Sequence, residues 1–223
     1  MDDLRDKIER SISEREAEEK AEWDALPEEE KQRIIAEREQ KRVEAERERQ
    51  ISAWKNKGVT KRYFDASWEN WIADTPEKKK AVTNARKAWK ENLFLAGKNG
   101  TGKTYLAMCL TKEGATYREA TDIFREIRAD FDREQETLDY YGYRKLLIID
   151  EVGRQNKKEL SDFEKNVFFE IINRRWNNCL PTTLIANMDI EEAVDLLGTA
   201  ILDRLRPIFV PFDWESMRGK NDA

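Results

Sequence analysis

The sequence predicts an α/β fold in which a parallel sheet carries helices on its faces, and three observations point to it. Short apolar runs alternate with amphipathic helical stretches from about residue 60 onward. A glycine-rich loop, Gly97 to Thr104, sits directly between an apolar run and a helical one. A third run, Lys145 to Asp150, is aliphatic throughout its middle and leads into two adjacent carboxylates, Asp150 and Glu151. A chain of 223 residues has room for one such domain and an appendage, but not for two full domains.

The appendage comes first. Residues 1–50 hold 18 acidic and 12 basic side chains, so the other 173 carry 28 acidic against 29 basic and the net charge of −5 belongs to the front. No glycine occurs before Gly58, and Glu, Arg, Lys and Ala dominate, which predicts helix. Leu4, Ile8 and Ile12 recur at four-residue steps, and Leu26-Pro27-Glu28 reads as a break before a second helix with proline in its first turn. Trp23, Ile34, Ile35, Val43, Ile51 and Trp54 form a stripe too narrow to be a core. Burial against the rest of the chain or against another protein would stabilise it; a solvated, salt-bridged helix pair is the blander reading. The expected division is a helical partner-binding region, 1–58, and a globular domain, 59–223.

The Gly58-Val59 joint and the aromatic run Tyr63, Phe64, Trp68 and Trp71 open that domain. Strands are expected at 93–96, 115–119, 145–150, 182–186 and 208–212. The helix after Ser161 begins Ser-Asp-Phe-Glu, a capping-box spacing, and turns Phe163, Val167, Phe168, Ile171 and Ile172 inward as core.

Composition removes several function classes. No apolar stretch approaches the roughly 18 residues of a spanning helix, and MDDLRDKIER lacks the apolar centre of a signal peptide, so a cytosolic place without membrane contact is expected. The acidic balance argues against a protein that coats nucleic acid by bulk charge. The chain has no histidine, which excludes imidazole bases and the common catalytic zinc sites. Cys109 and Cys179 are far apart with no CxxC pair, and both are expected reduced and buried.

What remains is chemistry by carboxylates, Lys, Arg and backbone. Gly97-Lys98-Asn99-Gly100-Thr101-Gly102-Lys103-Thr104 matches GxxxxGK[ST] in the strand–loop–helix context that this motif requires. Glycines let consecutive amides point inward at phosphate, and the helix start adds its positive end. Lys103 then reaches the β- and γ-phosphates of ATP, and Thr104 offers its hydroxyl to Mg²⁺. Gly97, Asn99, Gly100, Thr101, Gly102, Lys103, Thr104 and Tyr105 form the expected nucleotide-binding set. Asp150 joins Thr104 as a metal-holding residue, and Glu151 polarises the attacking water, which favours hydrolysis over transfer to a small molecule.

Asn187, at the end of the fourth strand, either positions that water or caps the following helix. Arg204 and Arg218 either meet phosphate or form surface ion pairs. An arginine at γ-phosphate stabilises transition-state charge, and when a neighbouring subunit donates it, hydrolysis depends on assembly.

GTGKTYLA, LLIIDEVG, Glu164 to Arg175, LIANM, LLGTAILDRLR and FDWESMR occur in this order, preceded by KGVTKRYFDASWENW. Over residues 57–219 the chain thereby resembles the DnaC-type helicase loaders of bacteria and phages. The resemblance implies an AAA+ P-loop ATPase with sheet order 5-1-4-3-2 and no separate lid domain. It implies assembly as a spiral hexamer on a replicative DnaB-type helicase bound through residues 1–58, and loading of that helicase on single-stranded DNA in the bacterial cytosol, here in a phage or prophage version. By motif position Lys103 and Thr104 look like Walker A, Asp150 and Glu151 like Walker B, Asn187 like sensor 1, Arg204 like the arginine finger and Arg218 like the sensor 2 arginine. Tyr105 stands where the family more often has histidine. Arg125, Arg128 and Arg133 lie where the family contacts DNA and are equally readable as a solvated face. IstB-type transposition helpers share nearly the same core and remain the alternative; a nucleotide-bound scaffold with little turnover is a third reading.

Overall fold

Five parallel strands form one sheet in the order β2-β3-β4-β1-β5, the reverse listing of the order 5-1-4-3-2 implied by the resemblance. They are β1 (Leu93–Gly97), β2 (Thr116–Glu119), β3 (Leu147–Asp150), β4 (Thr182–Ala186) and β5 (Ile208–Phe212), each within two residues of its expected place. The structure is a computed structural model that describes residues 15, 17, 20–153 and 160–217. Leu4, Ile8, Ile12 and Arg218 lie outside the described residues. The chain divides into two compact units, Met1–Ser52 and Ala53–Ala223.

In the first unit a helical stretch ends at Ala25, and after the Leu26-Pro27 break the helix α1 (Glu28–Asn56) begins and runs on into the second unit. At 1.5 Å per residue it is about 43 Å long. It buries no residue; Ile35 and Val43 stand more than half exposed. Exposed pairs such as Arg42–Glu39 and Arg33–Glu37 lie along it and contribute little each.

In the second unit helices α2 (Pro76–Ala85), α3 (Lys103–Glu113), α4 (Ala120–Ala129), α5 (Glu134–Gly142), α6 (Asp162–Asn177) and α7 (Ile190–Leu205) flank the sheet. Successive side chains of a strand point to opposite faces, so β1 sends Leu93 and Leu95 into one layer with α3, and Phe94 and Ala96 into the other with α4, α6 and α7. Burial on both faces explains why the strands read as continuous apolar runs. The Ser161–Glu164 capping box is formed, and Val167, Phe168, Ile171 and Ile172 are buried beneath it. No helix among the described residues is long and apolar enough to cross a membrane.

One expectation is corrected. Cys109 is buried on α3, but Cys179 is exposed, in the turn between α6 and β4, where its own backbone adopts φ +53°. A tight reversal before the central strand β4 turns this side chain outward, which a cysteine's usual preference for burial did not foretell.

Candidate functional site

The carboxyl ends of β1, β3 and β4 converge on a cleft of about 340 Å³ lined by Asn99, Gly100, Gly102, Lys103, Thr104, Tyr105, Asp150, Glu151 and Asn187. In a parallel sheet these ends are where loops and helix N-termini meet, and β1 lies between β4 and β5. The loop after β1 curls over its own carbonyls: Thr101 Oγ1 donates to Lys98 O at 2.9 Å, and Lys103 Nζ donates to Gly97 O at 2.8 Å and to Lys98 O at 2.7 Å. Lys103 is thereby buried at the cleft floor with its charge held over the loop. Gly97 and Thr101 support the loop from behind without lining the cleft.

Gly102, the residue before α3, takes φ +96°, and a Cβ there would run into the six-membered ring of Trp71. Both the left-handed backbone and the indole's approach demand glycine here. The segment after β5 straps the loop from outside, with Trp214 Nε1 donating to Thr101 O at 3.0 Å and Met217 N to Gly100 O at 2.8 Å.

Thr104, in the first turn of α3, donates its hydroxyl to Asp150 Oδ2 at 2.7 Å. Asp150 is buried at the end of β3; its Oδ1 accepts the Glu151 amide at 2.6 Å, and Oδ2 also accepts the Tyr117 phenol at 3.0 Å. Burial pushes the Asp150 carboxyl above its ordinary range, opposed by these three hydrogen bonds and by the Lys103 charge. Burial and the neighbouring Asp150 push the Tyr117 phenol far up, so it stays a donor. Glu151 follows with φ +58°, a left-handed backbone that costs strain in a non-glycine residue and turns the chain at the strand end.

A hydroxyl and a buried carboxylate oxygen side by side are hard donors of the kind Mg²⁺ takes when most of its shell is water and phosphate. Among the described residues no cluster of three or more carboxylate or cysteine ligands exists.

Asn187, exposed at the end of β4, faces the same cleft. The cap of α7 is Asp189, whose side chain accepts the Glu192 amide at 2.9 Å in a full capping box, so the capping alternative for Asn187 falls away. Tyr105 turns its ring towards Trp71, and its hydroxyl donates to Ser67 O at 3.3 Å. Burial raises its pKa.

Arg204 does not join this cleft. It lines a second cavity with Lys90, Asn92 and Arg206, where its Nε donates to Asn173 Oδ1 at 3.0 Å. Arg125 pairs with Asp122 at 2.9 Å, Arg133 with Glu136 at 2.8 Å, and Arg128 lies 4.5 Å over the Phe163 ring.

Sequence reasoning missed the far wall of the cleft, made by Arg62, Tyr63, Asn70, Trp71 and Ile72, and it missed Tyr117. The aromatic run 63–71 was the available signal, read there only as the start of globular composition.

The family model of IstB-like ATP binding proteins matches residues 10–223. The chain is 28% identical over 182 residues to the replicative helicase loader DnaC of Escherichia coli K12, covering 73% of each chain. It is 30% identical over 128 residues to the ATP-binding protein of insertion sequence IS232 from Bacillus thuringiensis subsp. berliner, covering 52% of this chain and 50% of that one. Among solved structures, the DnaC helicase loader superposes with a TM-score of 0.58 at 19% identity, over 68% of this chain and 99% of that one.

Proposed function

The chain belongs to the IstB-like ATP-binding protein family, and from that premise we propose that it is an ATP-hydrolysing loader for a replicative DnaB-type helicase. The observation that carries the catalytic half is the 2.7 Å contact of Thr104 with the buried Asp150, beside a lysine-bearing amide loop and opposite Glu151 and Asn187. Likeness to DnaC over nearly three quarters of both chains supports the loading half.

The chain's own groups divide the work. The loop amides and Lys103 bind and orient the β- and γ-phosphates. Thr104 Oγ1 and Asp150 would hold Mg²⁺, which neutralises phosphate charge when bound. Glu151 takes the proton of the attacking water, and the Asn187 amide orients that water. Arg204, which lies outside its own cleft, acts on the nucleotide of a neighbouring copy, so turnover depends on self-association. Residues 1–58 supply the helicase-docking surface and residues 59–223 the ATPase, acting on single-stranded DNA in the cytosol.

A second reading, an IstB-type transposition helper, is favoured by the IS232 relative. One experiment separates the two: nucleotide-dependent co-purification of the full chain and of a chain lacking residues 1–58 with a DnaB-type helicase. The loader reading expects capture by the full chain only. Full capture without the arm, or none at all together with stimulation of a transposase, would refute it.

A further inference from the structure

The carboxylate on the metal side of the cleft is tied to a part of the chain that takes no part in hydrolysis. Tyr117 lies on β2, the edge strand, in register with Ile148 of β3, so Asp150 stands two residues further along the same face. A phenol is long enough to span that diagonal, and its hydroxyl reaches Asp150 Oδ2 at 3.0 Å, beside Thr104. The residue is 7% exposed.

The backbone of the same residue faces the other way. The Tyr117 amide donates to Lys57 O at 2.9 Å, just where α1 ends and its last turn is closed by Lys57 N and Val59 N on Trp54 O. Gly58 takes φ +97° there; a Cβ would run into the Tyr117 carbonyl and lie 3.1 Å from its ring. The joint is further clamped to α3: Lys112 Nζ donates to Phe64 O and Ala66 O, both at 2.7 Å, and lies 4.1 Å over the Trp54 ring. A single buried residue therefore has its amide in the joint and its hydroxyl on the carboxylate.

We propose that Tyr117 is a positioning residue that couples the metal side of the nucleotide cleft to the joint Trp54–Ala66 at the foot of α1. This rests on reading the cleft as a Mg²⁺·ATP site. Whatever alters what Asp150 Oδ2 accepts alters the pull on the phenol. The ring fills the space beside Gly58, so it cannot shift without displacing the joint. Coupling is reciprocal: nucleotide with metal orders the joint, and a perturbed joint weakens the metal-dependent part of nucleotide binding.

The test uses the full chain, a fluorescent ATP analogue titrated in Mg²⁺ and in EDTA, and hydrogen exchange of peptides covering residues 53–66. In the wild type, Mg²⁺ tightens binding and slows exchange in the joint. Tyr117→Phe, which removes only the hydroxyl, loses about tenfold of the Mg²⁺-dependent gain and the exchange response, while metal-free binding is unchanged and certifies the fold. Gly58→Ala weakens the same gain from the other end, and the double variant is no worse than the stronger single one. Additive effects, or a Tyr117→Phe protein with both responses intact, overturn the coupling. A wild type that binds nucleotide without any exchange response overturns it too, whereas a wild type that binds no nucleotide overturns the ATP reading itself.

Discussion

The guanidinium of Arg204 lies over the ring of Phe169, 4.4 Å from its centroid, and the neighbouring Asn173 accepts its Nε. Among the described residues its partners are a ring, an amide oxygen and the Ala200 carbonyl, not a carboxylate. A guanidinium held this way is orientated without being neutralised, which keeps it competent for a phosphate on another molecule.

Arg204→Ala is therefore expected to leave nucleotide affinity within about twofold and to lower turnover about a thousandfold in the assembled state. Turnover measured against protein concentration checks this. Mixing Arg204→Ala with Glu151→Gln should restore activity, since each supplies what the other lacks; no recovery would place the arginine in cis.

Lys103→Ala removes the buried ammonium at the floor of the phosphate loop. Loss of a charge-assisted contact of about 3 kcal/mol predicts at least a hundredfold weaker ATP binding in a fluorescence titration. Unchanged affinity would mean that nucleotide does not enter this loop.

Glu151→Gln keeps shape and hydrogen bonding but cannot take a proton. Binding should persist while turnover falls by about a hundredfold to a thousandfold, in single-turnover hydrolysis. A variant that turns over normally would remove Glu151 from the role of base.

Gly102→Ala meets Trp71 with a Cβ in a left-handed backbone. Both effects act on the folded state, so a melting temperature lower by several degrees is expected, together with lost nucleotide binding. An unshifted melt would show that the indole gives way freely.

Burial pushes the Cys109 thiol up to about 12 from an ordinary value near 9. The unfolded chain then releases this proton first as pH rises, so stability is intact below about pH 9 and falls between 9 and 12. Urea melts across that range should show the loss, and Cys109→Ala should lessen its onset near pH 9, while the raised Tyr105 and Tyr117 phenols add their own loss from about pH 10 upward. A thiol reagent applied to the folded protein should label the exposed Cys179 and spare Cys109.

The strands and the phosphate loop were legible because each is coded locally. Continuous apolar runs such as Leu146 to Ile149 announce a strand buried on both faces, and glycine spacing announces a loop whose amides face inward. Asp150 and Glu151 were legible for the same reason, standing at the end of such a run. Nothing comparable marked Tyr117, whose partner is set by a strand register between segments 33 residues apart. Trp71 and Arg62 were hidden likewise, because a cleft wall contributed by an irregular segment has no period to read.

The amino-acid order alone pointed to the strands, the main helices and the loop and carboxylates that meet in one cleft, since periodicity and backbone preference act over a few neighbouring positions. Tertiary structure alone decided that Asp189 and not Asn187 caps α7, that Cys179 faces outward, that Arg204 stands apart from its own cleft, and that one tyrosine spans joint and carboxylate. Those outcomes depend on which distant segments pack together, and packing is a property of the whole chain at once.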